Sequence, residues 1–391
     1  MDVKLIRAKK LWTGSSLIEN PEIRLEDGRI AAIASRAEGS PAAACAGLLD
    51  LPEATLAPAF FDVHFHGSAG HDVMEATPEA LQTIGGFLAT RGVAQYLATT
   101  VTASMDATLK ALEGLARLIE KPELLAEAQR PVSRPIGIHL EGPFISKAKC
   151  GVQPVEHILE PDAATFDRFY EAAGGHIHLM TMAPELPGAA ELAAYATGKG
   201  VRVSMGHTTA TSAEAKAAID AGAASATHTF NAMRPFDHRE PGVIGQVLTN
   251  DKVYAELICD GIHVAPEAVR LWLRAKGSER AILVTDAMSA AGMPDGEYTL
   301  GGFPVQVTDG KAMARGVLAG STLTLDRALA NVIRFTGAPL EEALRLLTAN
   351  PAAMTGLTAQ AGSLAVGSNA HLVAVDAQGK LLASIVGGEL A

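Results

Sequence analysis

From about residue 57 the chain alternates short apolar runs with longer Ala/Leu-rich stretches of helical spacing. The runs are Phe60–Phe65, Ala94–Thr100, Ile136–Leu140, His176–Met182, Val201–Met205, Ser225–Phe230, Tyr254–Cys259 and Ile282–Thr285. Their length and apolar content fit buried strands. The stretches between them carry helix signals. Thr77-Pro78-Glu79 puts a capping hydroxyl before a proline at the first helical position, opening Ala76–Ala89. Thr211 and Glu214 make a capping box ahead of Ala215–Ala221. Val264–Ala275 and Thr324–Phe335 repeat apolar residues at helical spacing. Eight strands alternating with helices over roughly 300 residues predict an α/β fold of the (β/α)8 TIM-type barrel class. An open doubly wound sheet is the alternative, but no glycine-rich phosphate loop follows an early strand.

The two ends of the chain have a different texture. Val3–Ala8, Pro21–Leu25 and Ile30–Ile33 read as short strands, with Asp27-Gly28 as a hairpin turn. Residues 36–48 read as an Ala/Gly/Ser/Pro-rich loop leading into Leu48–Leu56. Past Pro351, turn residues again punctuate two or three short strands, His371–Val375 among them. The expectation is a small β-sandwich domain from residues 1–57 and 355–391, with a barrel of residues 58–354 inserted between its halves.

Composition narrows the partners. Lys and Arg total 32 against 43 Asp and Glu, and the net charge of −11 repels nucleic acid and anionic membrane. Any basic site must therefore be small and local. No apolar run reaches the 18 or so residues of a membrane helix. Met1-Asp2-Val3-Lys4 does not open a signal peptide. Cys45, Cys150 and Cys259 are odd in number, far apart, and fit a reducing cytoplasm. A soluble cytoplasmic protein is expected.

Candidate chemistry sits where a barrel puts it, at the C-terminal ends of the strands. His64 and His66 stand two apart on the first run, so both imidazoles share one face of the strand. The pair alone also fits two half-buried histidines on an ordinary strand. Further strand ends carry His139 and Glu141, then His207, His228 and Asp286, and together these argue for a metal site. His178 falls before its strand end and reads as a core residue. Four histidines and two carboxylates suffice for one or two divalent ions sharing a ligand. Nitrogen and oxygen donors admit Zn, Fe, Mn or Co. Such ions make hydroxide available at neutral pH and polarise a carbonyl oxygen. Asp286 suits a general base that later returns the proton to the leaving group. Hydrolysis of an amide-like bond is the chemistry implied.

His64-x-His66, Gly206-His207, His228 and Thr285-Asp286-Ala287 resemble the amidohydrolase superfamily. Six further segments resemble, in order, its N-acetylglucosamine-6-phosphate deacetylase family. They are His139–Phe144, Met205–Thr208, Thr227–Met233, Arg239–Gly242, Asp260–His263 and Leu318–Ser321. The resemblance implies that Glu141, His207 and His228 hold one metal, with Glu141 bridging to a second ion at His64 and His66. It implies Asp286 as the catalytic aspartate. Asn231, the Ala232 backbone, Arg239 and His263 would hold a sugar phosphate. A homodimer completing the phosphate site is also implied. Arg239 offers a planar fork suited to phosphate; an ion pair with Asp237 or Glu240 is its other reading.

One departure stands out. The family usually carries a Lys-Gly-x-His run after the Glu141 motif, whereas this chain reads Lys149-Cys150-Gly151-Val152-Gln153. Gln153 thus replaces a histidine that polarises the substrate carbonyl. Its amide can donate a hydrogen bond but carries no charge. A different sugar, such as the galactosamine isomer, is the alternative that Gln153 leaves open. Cys150 reads as a plain loop residue, with a reactive thiol as the other reading, and His371 is given no role. Rival readings are a cyclic-amide or base hydrolase and a non-catalytic scaffold. The absence of lysine at Glu141 argues against the former, and the full ligand set against the latter.

Overall fold

A computed structural model of the chain describes residues 3–37, 46–126 and 130–391. Cys45 and most of the expected loop at 36–48 lie outside the described residues. Among the described residues, eight parallel strands lie side by side in chain order. They are Phe60–Phe65, Val93–Thr100, Arg134–Glu141, Ile177–Met182, Arg202–Met205, Ala223–Ala226, Tyr254–Ile258 and Ala281–Val284, here barrel strands one to eight. The extension of strand eight closes onto strand one: the Asp286 N–H donates to His64 O and the His66 N–H to Ala287 O, each at 2.9 Å.

The helix signals act as expected. Thr77 Oγ1 accepts from the Ala80 N–H at 3.3 Å, and Pro78 starts the helix Pro78–Ala89. Thr211 and Glu214 close their box reciprocally, at 3.3 and 2.8 Å. Strand six is shorter than Ser225–Phe230. It ends at Ala226 because His228 and Phe230 adopt positive φ, 30° and 82°, which no strand accommodates. His228 is thereby carried to the strand tip.

The terminal segments form one sheet. Leu48–Pro58 lies between Leu5–Trp12, which it parallels, and Leu372–Val375, which it opposes. The Ile30 N–H donates to Ser368 O and the Gly367 N–H to Ile30 O, at 2.9 and 2.8 Å, so the sheet rolls back on itself. Ile6, Leu11, Ile23, Leu56, Leu372 and Ile385 fill the space enclosed, each fully buried. Burial of each such side chain contributes about 1.5–3 kcal/mol. Leu48–Pro58 runs through Ala59 directly into barrel strand one, which couples this sheet to the strand that bears His64 and leads into His66.

His371 lies at this junction. Burial, with the Arg134 charge near it, pushes its imidazole down to about 4. Its Nδ1 accepts from the Gly387 N–H at 3.0 Å, which requires the neutral ring. As pH falls from about 6.5 toward 4, the unfolded chain takes up a proton that the folded chain refuses, and stability declines. We expect the Tm to fall between pH 7 and pH 5, and His371→Asn to flatten that slope. Equal slopes in the two proteins would refute the assignment.

A four-stranded antiparallel sheet, not anticipated from the sequence, follows strand eight. Its strands are Gly296–Leu300, Phe303–Thr308, Lys311–Ala314 and Val317–Leu318. Leu300, Val305, Val307 and Ala312 pack with Val101, Val152 and Met288 beside the C-terminal end of the barrel.

Candidate metal centre

Asp62 and His64 on strand one and His66 just past its end occupy alternate positions, so all three project to the same side. Phe61, Val63 and Phe65 project oppositely into the apolar wall. Glu141 is the last residue of strand three; His207, His228 and Asp286 each stand two residues past the ends of strands five, six and eight. These three share a left-handed backbone, with φ of 48°, 30° and 49°. Such conformations cost about 1–3 kcal/mol each and cluster where chemistry requires them. Gly142, with φ of 80°, follows Glu141 where a Cβ would collide with Thr102 Oγ1.

Two ligand groups result. His64, His66 and Asp286 form one, and Glu141, His207 and His228 the other, with the donor atoms of each within 4.8 Å of one another. Glu141 joins them. Its Oε1 lies 3.2 Å from His64 Nε2, 3.2 Å from His207 Nε2 and 3.3 Å from His228 Nε2, while Oε2 is 3.4 Å from His66 Nε2. Asp286 Oδ1 is 3.1 Å from His66 Nε2.

The donor set fits a divalent ion on two further counts. Three of the imidazoles have Nδ1 against an acceptor: His66 at Thr99 O (3.0 Å), His207 at Lys149 O (2.7 Å) and His64 at Glu256 Oε2 (3.3 Å). Nδ1–H donates there, and Nε2 turns a lone pair into the site. The charges also call for a cation. Burial opposes ionisation of Glu141, yet His64, His207 and His228 hold its carboxyl well below the usual range. Burial likewise opposes a charged His64, yet Glu141 and Asp286 raise its pKa well above the ordinary value. Asp286, pushed up by burial, is pulled down further by His64 and His66 and stays ionised.

His139 stands apart. Burial and the His64 charge lower its pKa well below the ordinary value. Its ring is held between Val63 O at 3.1 Å and Thr181 Oγ1 at 2.8 Å, as a prop beneath the ligands. His178 is half-buried, and burial followed by the His176 charge lowers its pKa.

A cavity of about 410 Å3 opens above the two groups. His66, Glu141, Gln153, His207, His228, Asn231, Ala232, His263 and Asp286 line it, with Leu300, Val317 and Leu318 of the antiparallel sheet. Its wall includes Cys150. His263 Nδ1 is 2.6 Å from Asp260 Oδ2, which leaves Nε2 for a ligand. Burial would raise the Asp260 pKa, but the His263 hydrogen bond lowers it. His64 lies beneath the floor with no exposure. Arg239 does not line the cavity: it is exposed, with its N–H on Asp237 Oδ1 at 2.8 Å. A larger cavity of about 680 Å3, lined by Arg29, Arg134, His176 and His371, adjoins the opposite ends of strands two to four, away from every candidate ligand.

Gln153 lines the cavity with its amide already engaged. Its Oε1 accepts from Thr102, backbone N–H (3.0 Å) and hydroxyl, and its Nε2 donates to Glu141 Oε2 at 3.2 Å. One amide hydrogen therefore steadies Glu141, and only the other remains for a substrate. Thr102, Asp62 and Glu256 were not anticipated. The last two had a signal, a lone carboxylate within an apolar strand.

The amidohydrolase family profile matches residues 55–390. An N-acetylglucosamine-6-phosphate deacetylase of Lysinibacillus sphaericus is 38% identical over 95% of this chain and 93% of its own length. An N-acetylgalactosamine-6-phosphate deacetylase of Escherichia coli O157:H7 is 37% identical over 95% of each chain. Among solved structures, a mutant N-acetyl-D-glucosamine-6-phosphate deacetylase of Mycobacterium smegmatis, in complex with N-acetyl-D-glucosamine-6-phosphate, superposes with a TM-score of 0.90. It is 34% identical, with 100% of this chain and 99% of that one covered.

Proposed function

Because the chain belongs to the amidohydrolase family, we propose that it removes the acetyl group of N-acetyl-D-glucosamine 6-phosphate by metal-dependent hydrolysis, giving glucosamine 6-phosphate and acetate. The observation that carries the reading is the pair of ligand groups joined by Glu141, with ionised Asp286 at their edge, under a cavity of sugar-phosphate size. His64, His66, Glu141, His207, His228 and Asp286 would hold one or two ions, with Zn the first choice and Fe, Mn or Co the others. When bound, such an ion lowers the pKa of water and polarises the amide carbonyl. Asp286 takes the proton from the attacking water. As the C–N bond breaks, it delivers that proton to the leaving amine nitrogen.

His263, steadied by Asp260, holds the phosphate together with Asn231, the Ala232 backbone and Arg239. Arg239 is exposed and outside its own subunit's cavity, which supports a homodimer that completes the phosphate site. The reading divides the chain into a terminal sheet of residues 1–57 and 355–391 and a catalytic barrel of residues 58–354. It places the protein in the cytoplasm, supported by free thiols at Cys150 and Cys259. Among the described residues no helix is long and apolar enough to cross a membrane.

A second reading, N-acetylgalactosamine 6-phosphate as substrate, is favoured by the Escherichia coli relative and by Gln153 beside the substrate space. Amine release from the 6-phosphates of N-acetylglucosamine, N-acetylgalactosamine and N-acetylmannosamine tests both. The highest kcat/KM is expected with the glucosamine ester; a galactosamine preference moves the assignment, and no turnover of any of them ends it.

Gln153→Ala should lower kcat/KM by about 10- to 100-fold, the worth of one hydrogen bond to a charged group. His64→Ala should cost more, because a ligand is lost. Steady-state kinetics that rank the two in the opposite order would assign the main carbonyl activation to Gln153.

A further inference from the structure

We propose that Glu256 is the positioning residue for His64 and decides whether the His64/His66/Asp286 group holds an ion. The inference rests on the metal-dependent reading above. Glu256 lies within strand seven with no exposure, on a strand otherwise apolar at Ala255, Leu257 and Ile258. Its Oε2 lies 3.3 Å from His64 Nδ1, and its Oε1 has no partner among the described residues. A carboxylate so buried and half-satisfied works against folding unless another process uses it. His64 is the side chain it meets.

The other two anchored imidazoles, His66 and His207, rest on backbone carbonyls, Thr99 O and Lys149 O. Thr99 O belongs to barrel strand two and Lys149 O to the short turn Lys147–Lys149 after strand three, so both acceptors are main-chain atoms. The acceptor for His64 is instead a side chain, so the orientation of its ring depends on a single residue. Glu256 holds Nδ1–H, which fixes the tautomer and directs Nε2 to within 3.2 Å of His66 Nε2 and 3.5 Å of Asp286 Oδ1. Among the described residues no hydrogen bond joins His207 or His228 to Glu256, and the side chain of Glu256 is linked to the group they form with Glu141 through His64, whose Nε2 lies 3.2 Å from Glu141 Oε1.

The test is ion binding by the apo protein, measured by equilibrium dialysis against Zn2+ and by the visible absorption of bound Co2+. Glu256→Ala is expected to bind one fewer ion per chain than the wild type, or to bind that ion at least 100-fold more weakly, with the remaining affinity unchanged. Glu256→Gln keeps an acceptor for Nδ1–H and is expected to weaken the same ion by about 10-fold, in the range of outer partners of metal-bound histidine. Should Glu256→Ala fail to fold, the Gln variant decides alone. Variants that bind the same number of ions with wild-type affinity, or that lose every ion, overturn the assignment. A wild-type chain that takes up no divalent ion instead removes the reading beneath it.

Discussion

Asp286→Asn should lower kcat/KM by about 10²- to 10⁴-fold, the usual contribution of a positioned proton-transfer group. The replacement is nearly isosteric and keeps the floor of the site filled, so metal analysis separates loss of the proton acceptor from loss of an ion at the His64, His66 and Asp286 group. The backbone of Asp286 is tied independently of its side chain: its N–H donates to His64 O at 2.9 Å and its O accepts from the Ser321 N–H at 2.7 Å. The fold, and any ion held by Glu141, His207 and His228, should therefore survive the change. Steady-state kinetics with metal analysis of the same preparation checks both halves. A variant within tenfold of wild type would remove Asp286 from the proton path.

Removing Glu141 should act more broadly, because its two oxygens face four imidazoles from both groups. Glu141→Ala is expected to bind no ion at micromolar concentration and to lose at least about 10³-fold in kcat/KM, the several kcal/mol of activation a metal supplies. The clearest readout is stability. An ion held at 1,000 times its Kd stabilises the folded chain by about 4 kcal/mol. A chelator should therefore lower the wild-type Tm by several degrees and leave that of Glu141→Ala unmoved. Restoring Zn2+ should recover the wild type alone. If the two proteins respond alike to chelation, Glu141 is not a shared ligand.

Much of this architecture is legible in the chain because barrel strands announce themselves twice. Each is an apolar run, and strands one, three, five, six and eight end at or beside a residue type unsuited to a core, as at His207, His228 and Asp286. The features that hydropathy does not carry depend on contacts between distant segments. Gln153 reads as a stand-in for a substrate-facing histidine, yet its amide is divided between Thr102 and Glu141, a pairing only the folded loops create. Strand six reads too long because backbone handedness at His228 leaves no trace in hydropathy. The antiparallel sheet after strand eight was nearer to hand. Asp309-Gly310 is the same hairpin signal as Asp27-Gly28, and Val305 and Val307 alternate with exposed neighbours. Its strands were masked by the helical rhythm around them.

The terminal sheet has a kinetic consequence. Leu48–Pro58 is completed on one side by Leu5–Trp12 and on the other by Leu372–Val375, strands from opposite ends of the chain. Closing a loop that long is entropically unfavourable until something shortens the effective distance, and the intervening barrel does so when it forms. During synthesis or refolding, Leu48–Pro58 must wait with one edge bare while everything that follows it is assembled. An intermediate with that edge exposed is the species most prone to self-association, and crowded refolding should lose material there first.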